Sequence, residues 1–471
     1  MALQSIETFA RRLRAGDTSS RQTVDECLRQ IERHSGRLNT FILVSADQAR
    51  RQADEADREL RAGIDRGPLH GVPVSIKDVF DIDGTVTTAG SRVRDGIVAN
   101  RDATAVTRLR RAGAVIIGKT NLHEFAFGTT NEDSAFGPAR HPLDDTRSPG
   151  GSSGGSAASV AAGMALASLG TDTGGSLRIP AAACGLVGLK PGYDELSSDG
   201  VVPLSRTLDH VGPLAATVMD AWYMLQALRD TANAQPAAVR ATALAPAPGL
   251  RPGRAPAPAP MLSAIPVDTL RLGVPRRYFC ELLDNDVRRA FETTLETLRK
   301  SGATLVDVDI PHASLTAAIY LHIVFGDAAA YHADALDTMP DKYTNNVRLR
   351  LEMARYVTAE DYVRALDGRR ALRREFDAAL AGLDALALPT LPIVAPLIGA
   401  GTVAFGDRSE PVRNVMLRLT QLFNLTGHPA VTLPCGASDA GLPVGLQLVG
   451  VAGQTDTLLR MAYGVEMALA H

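Results

Sequence analysis

From Val72 onward the chain switches back and forth between two apolar periods, and no other feature constrains its fold as much. "VPVSIKD" is an apolar run of strand length. "DATAVTRLRRAG" carries a helical period that ends at Gly113, and "AVIIGKT" is again a continuous apolar run. Strands that are apolar on both faces need helices on either side, so the pattern predicts an α/β fold around a buried sheet. Helix-then-strand order returns in "NDVRRAFETTLETLRKSG" and "ATLVDVDI". The tail adds strand-like "PAVTLPCG" and "GLPVGLQLVG" and a closing helix, "TDTLLRMAYGVEMALA".

Ahead of this pattern, residues 1–65 read as a helical segment packed on the core. The cap-rich Asp17-Thr18-Ser19-Ser20 precedes Val24, Leu28 and Ile31 on one helical face, and "SADQARRQADEADRELRAG" is a second, largely solvated helix. Residues 66–471 then form one domain. A stretch at about 232–266 is too rich in Pro and Ala to pack, and it reads as a surface loop because strand-like "LRLGVP" follows directly. With 471 residues, 45% of them hydrophobic, there is ample material for a large core.

The formal net charge is −3 and no basic stripe occurs, which argues against nucleic acid or an anionic membrane as partner. The N-terminus, "MALQSIETFARRLRAGD", is broken by charges and is neither a signal peptide nor a span. The longest weakly polar run, "SAASVAAGMALASLG", is too short to cross a bilayer. Cys27, Cys184, Cys280 and Cys435 lie far apart with no CxxC, as in a reduced, cytoplasmic protein without zinc or disulfides. A homodimer is compatible with the sequence and not required by it.

Two motif matches fail on mechanism. Gly113–Thr120 fits the phosphate-binding pattern G-x-x-x-x-G-K-[ST], but its interval, Ala-Val-Ile-Ile, is a buried strand rather than a loop of exposed N–H groups. Gly151–Gly155 fits the nucleophile elbow G-x-S-x-G around Ser153. However, "ARHPLDDTRSP" precedes it where an elbow needs an apolar strand, and no His stands out as a triad partner.

What survives is a constellation. "GTDTGGSLRIPA" (170–181) follows the strand-like "MALASLG" and enters a helix, so Ser176 sits at a strand-to-helix junction where backbone N–H groups converge. Gly174 and Gly175 let that backbone approach a substrate, which is the geometry of an oxyanion hole. Lys77 interrupts an apolar strand. Burial would lower its pKa and make it a usable base; a salt bridge to Asp78 or Asp81 is the plainer account.

Together with "SPGGSSGGSAAS" (148–159), these segments resemble the amidase signature family. That family carries a Lys in a "G(V/I)P-x-x-x-KD" segment, then a "GGSSGGS" segment, then "GTDTGGS-x-R-x-P". Here Lys77 precedes Ser152 by 75 residues and Ser152 precedes Ser176 by 24. The likeness extends through "KTNLHEFAFGTTNEDSAFGP", "GLVGLKP", "TLDHVGPL" and "LTGHPAVTLPCG". It implies a single large mixed twisted sheet covered by helices on both sides. It also implies a Ser-Ser-Lys triad: Ser176 as nucleophile, Ser152 on a cis peptide as relay, and Lys77 as base. Thr173, Gly174 and Gly175, with the Ser176 N–H, would form the oxyanion hole. Ser153 would be a structural neighbour, and Asp172 and Arg178 would brace the loop. No metal or organic cofactor is implied.

The family's substrates are small amides or carbamates. Its acyl pocket would match Glu124–Asn131, and Phe125, Phe127, Gly128 and Thr129 point to an apolar, aryl-tolerant site, with ordinary core packing of the two Phe rings the equal alternative. The family also includes the glutaminase component of tRNA-dependent amidotransferases, their A subunit, which releases ammonia from glutamine. "IYLHIVFGDAAAYHADALD" lacks the Tyr-x-Tyr-Asp-like segment of that component, and Pro191-Gly192-Tyr193-Asp194 departs from the Tyr-Gly-Arg run usual after the signature. The expectation is therefore a stand-alone hydrolase of small apolar or aryl amides, anilides or aryl carbamates (a urethanase). A glutamine-hydrolysing component of an amidotransferase or a biuret/allophanate-type hydrolase is the alternative.

Overall fold

The structure, a computed structural model, describes residues 3–229 and 261–470. Apart from residues 261–266, the loop expected at about 232–266 lies outside the described residues. Among them, eleven strands form one mixed sheet. In chain order these begin with β1 (Phe41–Val44), β2 (Pro73–Lys77), β3 (Val115–Thr120), β4 (Ala167–Asp172), β5 (Val187–Lys190) and β6 (His210–Ala215). There follow β7 (Arg271–Pro275), β8 (Thr304–Val308) and β9 (Ala385–Pro389), a separate hairpin of β10 (Thr402–Phe405) and β11 (Arg408–Pro411), and then β12 (Ala430–Ala437) and β13 (Pro443–Gly450). Across the sheet the order is β1-β3-β2-β4-β6-β5-β12-β13-β9-β7-β8.

The strand pair that matters, β2 and β4, is third and fourth from one edge. β2 lies parallel to both β3 and β4, and β6 runs antiparallel to β4. Every residue of β2 is buried, so both faces of the sheet are covered there, as its unbroken apolar run predicts. The carboxyl ends of β2 and β4 therefore stop side by side, in the position where open α/β sheets place their ligands.

Helices Ile6–Ala15, Ser20–Leu38 and Ala46–Arg61 open the chain, and Ile6, Phe9, Val24, Leu28 and Ile31 join the main core. A capping box starts the second helix: Ser19 accepts from the Gln22 N–H, and the Gln22 side chain accepts from the Ser19 N–H. Between the helices lies β1, an edge strand paired with β3, which the periodicity does not single out. In the phosphate-loop look-alike, Gly113 takes φ 82° just beyond the helix Thr104–Arg111, and β3 fills the interval. Lys119 is spent inside the core on Asp78, 2.5 Å away.

One helix, Thr316–Thr338, belongs to a segment long and apolar enough to cross a membrane, with a mean hydropathy of 1.4. The sequence reading finds no apolar run of that length. This helix packs against Asn345–Ala354 and Ala359–Ala379, and it buries Tyr320, Ile323, Val324 and Phe325. Its Asp327 accepts hydrogen bonds from Ser205, Thr207 and Tyr362. One side of it is buried in the core, while Ala317, Ala318, Ala330 and Tyr331 are exposed.

Candidate active site

Lys77 is the last residue of β2 and is fully buried. Alternation along the strand puts Ser75 and Lys77 on one face, where Ser75 pairs with Ser159 of the helix Gly154–Ala161 at 2.9 Å. The Lys77 Nζ donates to Ser152 Oγ at 2.8 Å and to Thr171 Oγ1 at 2.7 Å. Neither Asp78 nor Asp81 pairs with it, since Asp78 is engaged by Lys119. Burial drives the Lys77 ammonium down to about 7, against the counter-pull of Asp209 and Asp172.

The Ser-Gly-Ala stretch holds Ser152 in place. The Gly151–Ser152 peptide is cis, and the Ser152 carbonyl accepts from the His123 N–H at 3.1 Å. Small residues are obligatory beyond it, because the helix lies directly on neighbouring backbone. A Cβ at Gly155 would come within 2.4 Å of the Asn121 carbonyl oxygen and 2.6 Å of that of Thr40. Ser153 turns away from Lys77 and donates to the Thr171 carbonyl at 3.2 Å.

The second glycine turn leaves β4. Gly175 has φ 140°, and a Cβ there would lie 2.4 Å from Thr420 Oγ1; one at Gly174 would lie 2.5 Å from Tyr320 Oη. Among the described residues, the N–H groups of Thr173, Gly174, Gly175 and Ser176 donate no hydrogen bond, whereas those of Leu177 and Arg178 donate to Asp172. Four consecutive free donors followed by a helix make a concave, electropositive turn. Ser176 keeps 6% of its surface open, and its hydroxyl makes no hydrogen bond among the described residues.

Asp172 and Arg178 lock this turn. Arg178 Nε and Nη2 each donate to Asp172 at 2.9 Å, and both residues are fully buried. Burial alone would raise the Asp172 carboxyl; the guanidinium outweighs it and holds the group well below the ordinary range. Arg178 is itself completed by Gln447 at 2.7 Å and Asn424 at 2.7 Å. The sequence reading misses Asp209, which stands just before β6. Asp209 accepts from Thr173 Oγ1 at 2.6 Å and from the N–H groups of Leu204 and Ser205. Burial lifts its carboxyl to about 6. Its only sequence signal is its place in "TLDHVGPL", a segment that carries part of the family likeness.

The expected aromatic pocket takes a different form. The Phe125 ring packs on His332 and Tyr343, and Phe127 packs edge-on to Phe325; each Phe is 2% exposed. Gly128 is required by His123, whose imidazole would lie 2.0 Å from an added Cβ. Thr129 does line a cavity, of about 280 Å³, but its neighbours there include His123, Asp133, Arg350 and Arg413 rather than aromatic rings. A second cavity of about 420 Å³ is bounded by Tyr320, Leu417 and Arg413. No group of three or more His, Cys, Asp and Glu able to hold a metal occurs among the described residues.

Comparison with known proteins shows the family. The family model described as Amidase matches residues 22–459. The chain is 41% identical to the A subunit of glutamyl-tRNA(Gln) amidotransferase from Anaeromyxobacter sp. (strain K), over 96% of this chain and 93% of the relative. It is 36% identical to the protein of that name from Koribacter versatilis, over 94% and 93%. Among solved structures, an amidase superposes with a TM-score of 0.88 at 36% identity, covering 98% of this chain and 99% of the other. A structure reported with the evolutionary origins of an s-triazine catabolic enzyme gives 0.87 at 33%, covering 98% of each chain. The Thermotoga maritima counterpart of the two amidotransferase relatives gives 0.74 at 31%, covering 95% and 91%.

Proposed function

The chain belongs to the amidase signature family of C–N bond hydrolases, and from that premise we propose that it hydrolyses a small linear amide through an acyl-enzyme on Ser176. Ser176 attacks the carbonyl carbon while its proton passes through Ser152 to neutral Lys77. The oxyanion is received by the N–H groups of Thr173, Gly174, Gly175 and Ser176. Collapse breaks the C–N bond, and the relay returns the proton to the departing nitrogen. Water then adds to the ester, leaving a carboxylic acid and free Ser176. The observation that carries this reading is Lys77: fully buried, without an ion-pair partner among the described residues, and 2.8 Å from Ser152 Oγ.

Two substrate readings compete. The names of the relatives favour the glutamine-hydrolysing component of an amidotransferase. The higher TM-score of the amidase favours a stand-alone amidase, with a biuret/allophanate-type hydrolase as the further alternative. An apolar or aryl amide, or an aryl carbamate, loses its main support because Phe125 and Phe127 are engaged in the core. The deciding experiment is a hydrolysis panel with the purified chain alone: glutamine, biuret, a primary aliphatic amide, a p-nitroanilide and an N-aryl carbamate. Preference for glutamine supports the amidotransferase reading. Turnover of the anilide or carbamate above the rest restores the aryl one, and no turnover in any arm overturns the proposal of a self-sufficient hydrolase.

A further inference from the structure

We propose that Thr420 is a positioning residue of the oxyanion turn: by holding the Gly174 carbonyl, its hydroxyl aims the Gly175 N–H at the reacting centre. This rests on the reading of Ser176 as nucleophile. Thr420 lies 246 residues beyond Gly174, between the helices Val412–Leu417 and Gln421–Thr426, and is fully buried.

The peptide between Gly174 and Gly175 is trans, so its carbonyl and its N–H point in opposite directions within one plane. Whatever fixes the Gly174 carbonyl therefore fixes the Gly175 N–H on the far side. The Thr420 hydroxyl donates to that carbonyl at 2.6 Å, and among the described residues no other donor reaches it. The Leu417 carbonyl lies 3.3 Å from the same hydroxyl but already accepts the Thr420 N–H at 3.2 Å. The single hydroxyl proton thus belongs to the shorter contact. Donation to the carbonyl also polarises the amide and strengthens its N–H as a donor.

An external hold is needed here because the peptide has glycine on both sides. Without a Cβ on either residue, local sterics leave its plane free to swing. The two partners are fitted to each other, since a Cβ at Gly175 would lie 2.4 Å from Thr420 Oγ1. Thr420 is itself held: its carbonyl accepts from Arg178 Nη1 at 2.9 Å. Four residues on, Asn424 Nδ2 donates to the Asp172 carbonyl at 3.0 Å and to its carboxylate at 2.8 Å. Those contacts brace the two ends of the turn. The Thr420 hydroxyl touches it between them, where the unspent N–H groups lie, so it sets their direction.

The test follows labelling of Ser176 by a neutral fluorophosphonate in the wild type, Thr420→Val and Thr420→Ser. In that reaction Ser176 Oγ bonds to phosphorus, fluoride leaves, and the hydroxyl proton passes through Ser152 to Lys77. Charge builds meanwhile on the phosphoryl oxygen in the turn. Thr420→Val is expected to lower the maximal labelling rate by about 10- to 100-fold, since the loss of a whole oxyanion donor costs about 10²- to 10³-fold. The half-saturating reagent concentration should stay at its wild-type value, because the contact matters in the transition state. The rise of the rate with pH should keep its position, and Thr420→Ser should recover most of the loss. A wild-type rate in Thr420→Val overturns the proposal. So does a loss expressed only in half-saturation, a displaced pH limb, or a loss that Thr420→Ser does not recover. Should Thr420→Val not fold, Thr420→Ala removes the same hydroxyl without placing a methyl against the carbonyl and is read in the same way. An unlabelled wild type defeats the nucleophile reading and this inference with it, whereas a labelled wild type matched by Thr420→Val defeats only the role of Thr420.

Discussion

The Nζ of Lys77 lies 2.8 Å from Ser152 Oγ, and neither residue has any exposed surface. Burial has brought the pKa of this amine down to about 7, which suits the base role proposed for it towards that hydroxyl. Activity is therefore expected to rise with pH through about 7 and then level, as neutral Lys77 becomes populated. Lys77→Ala should lower kcat by roughly 10²- to 10⁴-fold, the span of general acid–base help. A pH–rate profile of kcat/KM checks both, and a profile that falls across this window would defeat the base assignment.

The same shift has a consequence for stability. Unfolded Lys77 holds its proton up to about 10.4, whereas in the fold it does so only up to about 7. Between these values unfolding takes up a proton, so stability rises with pH across the window and the burial penalty is fully felt below 7. Lys77→Met is expected to remove that slope and to raise the melting temperature most at and below neutrality. Thermal melts at pH 6, 8 and 10 measure it; a Met variant with the wild-type slope contradicts the burial argument.

Ser152, Ser153 and Ser176 all lie in Gly-Ser segments, yet their environments separate them. Only Ser176 combines an unbonded hydroxyl with an open surface, while Ser153 is tied to the Thr171 carbonyl. A fluorophosphonate should label Ser176 alone. Ser153→Ala should retain labelling at within about tenfold of the wild-type rate, since the net worth of one neutral hydrogen bond is near 1 kcal/mol. Peptide mapping of the adduct decides, and an adduct on Ser153 would reassign the nucleophile.

Arg178 and Asp172 form a fully buried pair with two 2.9 Å contacts. Arg178→Met leaves an uncompensated buried carboxylate and should cost about 3–5 kcal/mol. Chemical denaturation of Arg178→Met beside the Asp172→Asn/Arg178→Met double variant tests this. The double variant is expected to recover part of the loss, and no recovery would show that the pair's charges are not what the turn depends on.

Much of this site can be read along the chain because its parts are short and local. β2 with Lys77, the strand-to-helix turn at 167–178 and the Ser-Gly-Ala helix each carry their geometry in a few residues, where glycine is demanded by close backbone approach. What escapes comes from far away in sequence. Asp209 reaches Thr173 from the start of β6, and Tyr320 and Arg413 arrive from separate helical segments. The aromatic-pocket reading fails for a related reason: Phe125 and Phe127 are as apolar in a core as in a pocket, and only their packing on His332, Tyr343 and Phe325 tells which.

Asp209 gives the sharpest remaining expectation, because it acts on two parts of the site at once. Its Oδ1 fixes Thr173 at 2.6 Å, and its negative charge stabilises the Lys77 ammonium. Asp209→Asn keeps a side-chain oxygen for the Thr173 hydroxyl but removes the charge. Without that charge the ammonium is less favoured, so Lys77 loses its proton at lower pH. The acid limb of the kcat/KM profile should move below its wild-type position. Asp209→Ala should shift the limb in the same direction and also lower kcat, because Thr173 then loses its anchor and the donors of the turn lose their aim. One oxyanion donor is worth about 10²–10³ in rate, which bounds that fall from above. A role confined to structure would lower kcat in both variants and leave the limb where it is. A shift in Asp209→Asn with kcat nearly retained separates the two effects, and an unmoved or alkaline-shifted limb would remove Asp209 from the electrostatics of Lys77.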